Sequence, residues 1–300
     1  MEVHAAPETW GGRVATVTGD PRRDVTMEPF RAAVAQLSFT LYDVEANTAA
    51  SVRAIEDAAS KGAALAVLPE LANVGYITRW SPEFAGEYYA RSERLPGRFS
   101  SALAEAAQAN DVHVVVGMSE RSSTVDGLLY NTALLITPAG DMYVHRKIHL
   151  PREEKRYFGE GDRLEVFGTR LGNIGLLICA DNSFPEAARL LALRGAHVVA
   201  IPCAAERPVN PTLYRELAAV RAYENQLFVL AANRCGQQDT VTFAGTSTIA
   251  APNGAVLAAL EDTPGIAVAD LDPELLVAER LRQTRFRDRR PHLYPDIASP

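Results

Sequence analysis

Apolar residues fall along this chain in two rhythms. Strand-length runs rich in Val, Ile, Leu and Ala alternate with segments whose apolar positions recur at the three-to-four spacing of an amphipathic helix. The pattern predicts strands over 31–37, 64–68 and 112–118, with helices over 46–61 and 100–109 between them. The middle of the chain changes character. Runs 129–137 and 142–147 flank Pro138-Ala139-Gly140-Asp141, a turn signal that makes them a hairpin. Two further hairpins are predicted, from 164–167 and 174–178 around Leu171-Gly172-Asn173, and from 247–251 and 255–260 around Pro252-Asn253-Gly254. Helices over 185–194 and 211–223 are each followed by an apolar strand, at 198–201 and 227–232. Helices alternating with strands and interrupted by hairpins imply mixed sheets covered by helices, the α/β class. Residues 1–28 mix Gly, Pro, Thr and charge without periodicity and read as an N-terminal extension or arm. The rest, 29–300, reads as one domain with 281–300 as a C-terminal tail.

Composition narrows the class. Hydrophobic residues form 47% of the 300, enough for a large core. No run of about 18 apolar residues is present to span a bilayer, and the N-terminus lacks the apolar stretch of a secretory signal, so a soluble cytoplasmic protein is expected. A net charge of -7 argues against nucleic acid as a partner, since phosphate binding needs a basic surface. The exception is local: the arginine-rich stretch from Arg280 to Arg290, accompanied by Glu279 and Asp288, reads as a solvated tail or a subunit contact. Cys179, Cys203 and Cys235 are odd in number and form no CxxC pair, so neither a disulfide framework nor a zinc site is indicated, and no metal or cofactor is expected.

Four residues carry candidate chemistry. Cys179 follows the apolar run Ile174-Gly175-Leu176-Leu177-Ile178 and precedes Ala180-Asp181-Asn182-Ser183-Phe184-Pro185, where the proline suits a helix start. A thiol is thereby placed at a strand end, where α/β sheets bind ligands and a following turn can hold an oxyanion. Taken alone, such a cysteine is more often core packing. Glu70 ends the strand Leu65-Ala66-Val67-Leu68-Pro69 and, alone, reads as a cap on the next turn. Lys147, in His145-Arg146-Lys147, reads alone as a solvated strand edge, and Glu154 as surface charge.

The combination is far more specific. Val67-Leu68-Pro69-Glu70, Arg146-Lys147-Ile148-His149-Leu150-Pro151, Glu154-Lys155-Arg156-Tyr157-Phe158 and Ile178-Cys179-x-Asp181-x-x-Phe184-Pro185-Glu186 occur in that order. Gly75-Tyr76, Tyr130-Asn131-Thr132-Ala133, Arg221-Ala222-Tyr223-Glu224-Asn225-Gln226 and Ala231-Ala232-Asn233-Arg234 accompany them. This set resembles the nitrilase superfamily of carbon–nitrogen hydrolases, across residues 28–294. The resemblance implies a four-layer αββα sandwich, a triad of Glu70, Lys147 and Cys179, a supporting role for Glu154, and a homodimer or larger homo-oligomer. Tyr76, Ala180, Asn182 and Arg152 are the candidate substrate contacts, with the Ala180 N–H as an oxyanion donor and Arg152 as either a carboxylate clamp or, the commoner fate of such a residue, a surface charge.

In such a triad a thiol attacks a carbonyl to form a thioester, helped by a lysine ammonium that favours the thiolate, while a glutamate moves protons. Nitrilases commonly place Trp-Glu after the cysteine, where this chain has Ala180-Asp181. The Glu154-to-Phe158 stretch is similar to N-carbamoyl-D-amino-acid hydrolases, although those carry paired arginines where Asn182 and Ser183 stand. The expectation is therefore a hydrolase of a small amide or N-carbamoyl compound. The alternatives are a nitrilase releasing acid and ammonia, and an acyltransferase forming an amide from the same thioester. A papain-like pairing of Cys179 with His145 or His149 lacks that family's Cys-Gly-Ser-Cys-Trp signature.

Overall fold

The computed structural model describes residues 26–298. Strand β1 (Phe30–Gln36) leads to Asp43, whose carboxylate accepts from the Ala46 N–H and starts α1 (Val44–Ser60). Next come β2 (Leu65–Val67), α2 (Pro82–Arg91) capped by Ser81, and α3 (Arg98–Ala109). A meander of β3 (His113–Arg121), β4 (Leu129–Ile136) and β5 (Met142–Arg146) closes the first half. The second half opens on the hairpin β6 (Val166–Thr169) and β7 (Gly172–Leu176), then alternates through α4 (Pro185–Leu193), β8 (Val198–Cys203), α5 (Leu213–Asn225) and β9 (Phe228–Asn233). It ends with β10 (Gln237–Gln238), β11 (Val241–Thr242), β12 (Thr248–Ala250), β13 (Val256–Ala259), β14 (Gly265–Leu271) and α6 (Pro273–Arg282).

Two six-stranded sheets result, in the orders β14-β1-β2-β3-β4-β5 and β13-β12-β9-β8-β7-β6. Each has a parallel centre, β1-β2-β3 in one and β7-β8-β9 in the other, flanked by antiparallel strands. Alternation then decides the layers. Ala32, Val34, Leu65, Val67 and Val115 point from the first sheet to meet Ile174, Leu176, Val198, Ala200 and Leu230 of the second. The residues between them, such as Ala33, Ala66, Val114 and Val116, face α1 and α3. On the far side Leu177, Val199 and Val229 face α4 and α5. Both faces of each sheet are therefore apolar, which is why the strands read as continuous hydrophobic runs. The layers are the expected αββα sandwich.

Some expectations are corrected. α2, β14 and α6 are absent from the predicted set, because the helices bury little: Phe84 and Tyr88 in α2, Leu276 and Glu279 in α6. The turn between β6 and β7 lies at Arg170-Leu171, displaced toward the N-terminus from the predicted Leu171-Gly172-Asn173, since Thr169 and Gly172 close it through the Thr169 hydroxyl. The arginine stretch is not uniformly solvated. Arg280 lies on α6 and donates to the Gln226 and Ala196 carbonyls, and Arg285 donates to Tyr223 O and stacks on its ring. Residues 1–25 of the expected arm lie outside the described residues, whereas Met27 is buried in the intersheet core. Among the described residues no helix is long and apolar enough to cross a membrane.

The path of the chain leaving β2 depends on one glycine. A Cβ on Gly117 of β3 would lie 2.5 Å from Glu70 Cα, so only glycine lets that chain pass this close. Packing between the sheets should dominate stability. Leu230→Ala, in a fully buried intersheet position, is expected to cost about 2–5 kcal/mol in urea unfolding, and a loss below about 1 kcal/mol would show that the sheets close over the gap.

Candidate active site

Glu70, Lys147 and Cys179 each lie just beyond the end of a strand, and Glu154 lies in the turn that follows Lys147. Pro69 stops β2 and delivers Glu70, which is fully buried. Its N–H donates to Cys203 O at 3.3 Å, and its Oε2 accepts from Ala204 N at 2.7 Å, so one residue of the first sheet is bonded twice to the end of β8 in the second. Lys147 follows β5, its N–H donating to Asn131 O on β4 at 2.8 Å. Glu154 sits in the short 3-10 turn Arg152–Arg156. Cys179 opens a second 3-10 turn, Cys179–Ser183, at the end of the strand that carries β7.

Cys179 has φ of 43°, in the left-handed region that a non-glycine residue occupies at a cost of about 1–3 kcal/mol. Asp181 holds it there. Its Oδ2 accepts from Ile178 N at 3.0 Å, and its Oδ1 accepts from His149 N at 2.9 Å and stands 2.8 Å from His149 Nδ1. His145 Nε2 lies 3.5 Å from the other oxygen. Burial works against ionisation of Asp181, but hydrogen bonds from His145 and His149 outweigh it and hold its pKa well below the carboxylate range. The two histidines thus serve the aspartate, and the papain-like pairing with Cys179 is not formed.

Lys147 Nζ lies 2.7 Å from Glu70 Oε1 and 2.9 Å from both Glu154 oxygens, and all three side chains are buried. Asn131 Nδ2 donates to Glu70 Oε1 at 2.7 Å and to Glu154 Oε2 at 3.1 Å, and the Tyr76 hydroxyl donates to Glu154 Oε1 at 3.0 Å. Burial disfavours the Lys147 ammonium, yet Glu154 and Glu70 prevail and its pKa lies well above the ordinary lysine value. Burial raises the Glu154 pKa, with Lys147 opposing and Glu70 adding to the rise. The Cys179 thiol is also pushed well up, by the neighbouring Cys203 thiol, by burial and by Glu70, against the pull of Lys147. The pull of Lys147 toward the thiolate is therefore opposed by its other neighbours.

Part of this set opens on a cavity of about 380 Å³, while Glu70, Lys147 and Asn131 lie behind its lining. Cys179, Ala180, Asn182, Tyr76 and Glu154 line it, as expected, and Cys203 and Tyr214 line it without having been expected. Asn182 is buried and its Oδ1 has no hydrogen-bond partner within the protein, which leaves an acceptor for a ligand N–H. Arg152 stands at the rim with its side chain 82% exposed and already donates to Glu206 Oε2 at 2.7 Å, so the carboxylate it clamps here belongs to the protein. Tyr76 is set by Gln238, which accepts from its N–H at 3.0 Å and donates to its carbonyl at 2.6 Å. Asn131 and Asp181 are the polar residues that sequence reasoning undervalued. Both lie inside the Tyr-Asn-Thr-Ala and cysteine motifs, but their partners lie far along the chain, and only the fold reveals them.

The fold and this residue set define a class of enzyme. The carbon–nitrogen hydrolase family model matches residues 31–280, and the chain belongs to that family, within the nitrilase superfamily. Over 269 residues the chain is 33% identical to a nitrilase of Pyrococcus abyssi, covering 88% of this chain and 98% of that one. It is 31% identical over 274 residues to an N-carbamoylputrescine amidase of Arabidopsis thaliana, covering 84% and 90%. The crystal structure of a carbon–nitrogen hydrolase from Helicobacter pylori superposes with a TM-score of 0.80 at 28% identity, covering 91% of this chain and 99% of that one.

Asp181→Asn should loosen the cysteine turn. At pH 7 the expected loss is about 1–3 kcal/mol, because a charged acceptor of buried donors becomes a neutral amide. Since the folded pKa is depressed, the carboxylate stabilises the fold above the unfolded value and that contribution is lost as pH falls. The penalty should thus fade only below about pH 4. Chemical unfolding of both proteins across pH checks this, and equal stability at pH 7 would remove the aspartate from its supporting role.

Proposed function

We propose that this protein hydrolyses the C–N bond of a small amide or N-carbamoyl compound through a thioester on Cys179. The observation that carries the reading is the opening of Cys179 and Glu154 on one cavity, with Glu154 bonded to a buried lysine that Glu70 holds from its other side. A thiol at rest carries the proton the reaction needs. As the sulfur attacks the carbonyl carbon, Glu70 takes that proton, and the developing oxyanion meets the Ala180 N–H and the charge on Lys147. Glu70 then returns the proton to nitrogen as the C–N bond breaks, so that ammonia or an amine leaves. Water, deprotonated by Glu70, cleaves the thioester and restores the thiol. Glu154 keeps Lys147 charged and in place, bonded to its ammonium through both carboxylate oxygens.

Two features favour amide or ureido substrates. Ala180-Asp181 replaces the Trp-Glu of nitrilases, and Asn182 offers an unpaired buried oxygen that an amide NH₂ can satisfy and a nitrile cannot. The Arabidopsis amidase relative agrees with this reading, while the relative named a nitrilase supports the second one. A panel of amide, ureido and nitrile compounds sharing one side chain, followed by ammonia release, separates the two. Amide or ureido turnover should lead, and Cys179→Ala should lower it by more than about 100-fold without unfolding. A nitrile preferred tenfold or more, about 1.4 kcal/mol of transition-state preference, would hand the assignment to nitrilase.

A further inference from the structure

Cys203 has no part in the proposed hydrolysis, yet the fold sets it beside the nucleophile. Strands β7 and β8 run parallel with Leu176 paired to Ala200 and the Leu177 N–H donating to Ala200 O; three residues beyond that pair, β8 ends at Cys203, while the other segment has left β7 and opens its 3-10 turn at Cys179. β8 keeps its register to its last residue, where Cys203 pairs with Asn233 on β9. Paired strands lie about 4.8 Å apart, so the segments that leave β7 and β8 toward the two cysteines set out within the Cα separation of about 4.4–6.8 Å that a disulfide spans. The Cys203 carbonyl accepts from both Glu70 N and Arg234 N, which fixes this end of the strand. Both cysteines are partly exposed on the same cavity, and the Cys203 thiol makes only a weak bond to Ile201 O at 3.4 Å. It is also the foremost influence raising the Cys179 pKa, as a sulfur in contact would be.

We propose that Cys179 and Cys203 are a reversible dithiol pair, closed to a disulfide by a peroxide that enters the cavity. In the first step the Cys179 sulfur attacks one peroxide oxygen, an S–O bond forms as the O–O bond breaks, and water leaves, giving a sulfenic acid. In the second the Cys203 sulfur attacks the Cys179 sulfur. The S–S bond forms, the S–O bond breaks, and hydroxide leaves as water with the Cys203 proton. Two thiols are oxidised by two electrons and one peroxide is reduced to two waters. Because its neighbours push the Cys179 thiol upward, the first step is slower than at a dedicated low-pKa sensor cysteine. The neighbour then protects the nucleophile from irreversible oxidation, and a small dithiol restores it.

The test treats the full-length protein and its Cys203→Ala, Cys203→Ser and Cys235→Ala variants with hydrogen peroxide under native conditions, blocks free thiols, and reads intact mass and a peptide map. Wild type and Cys235→Ala should lose about 2 Da, yield a Cys179–Cys203 linked peptide, and return to the starting mass with dithiothreitol. The Cys203 variants should instead gain about 32 Da at Cys179, which dithiothreitol leaves in place. Accumulation of the same sulfinic product in wild type, without a cross-link, would overturn the proposal, as would a cross-link through Cys235. If neither Cys203 variant folds, the wild-type peptide map alone decides. The readout is mass, so its outcome is independent of whether the hydrolase reading holds.

Discussion

A single ammonium, Lys147, is buried between two carboxylates at the seam where the two sheets meet, and much of the molecule is arranged to tolerate it. Burying such charges costs several kcal/mol per ion, and removing one partner of a buried pair costs about 3–5 kcal/mol. Asn131 supplies neutral donors to both carboxylates, Tyr76 donates to one and the Ala204 N–H to the other. Those four donors come from β4, the segment after β2, and the end of β8, so satisfying the charge fixes the relative position of the sheets. The apolar core between them holds the sandwich closed but leaves its register along the strands less defined than these directional bonds do.

The nucleophile is placed by a second constraint of the same kind. Left-handed backbone at Cys179 is strained, and the turn persists because Asp181, ionised in the interior, gathers the Ile178 and His149 amides and two histidine rings. Asp181 thereby links the strand ahead of the cysteine to the segment that carries Lys147. Charge cluster and cysteine turn are joined through one stretch, 145–149, which explains why so many polar residues crowd an otherwise apolar strand. Cys203, burial and Glu70 push the Cys179 thiol upward, which favours an attack in which a base takes its proton.

Much of this was legible in the sequence, for reasons that differ by element. Strands β1, β2, β3, β8 and β9 are apolar on both faces and announce themselves. Hairpins showed through their Pro, Asn and Gly turns, although the turn before Gly172 fell at Arg170-Leu171 because a threonine hydroxyl closes it. Helices α2 and α6 were hidden, since each buries too little to leave a periodic stripe. At the site, Glu70, Lys147, Glu154 and Cys179 stood out only as an ordered set of motifs. Asn131 and Asp181 were hidden because a polar residue's importance depends on partners that the fold supplies. Arg152 misled for the opposite reason: its charge was visible, and its partner Glu206 was not.

The central claim is that the buried cluster serves a covalent step at Cys179. Its most direct measurement is intact and peptide mass spectrometry of the wild-type protein quenched with acid during turnover of an amide, beside Cys179→Ala treated in the same way. The account predicts an adduct of the substrate's acyl mass on Cys179 of the wild type and none on Cys179→Ala, which does not turn the amide over. Wild-type turnover with no adduct on Cys179, together with retained hydrolysis in Cys179→Ala, would contradict it.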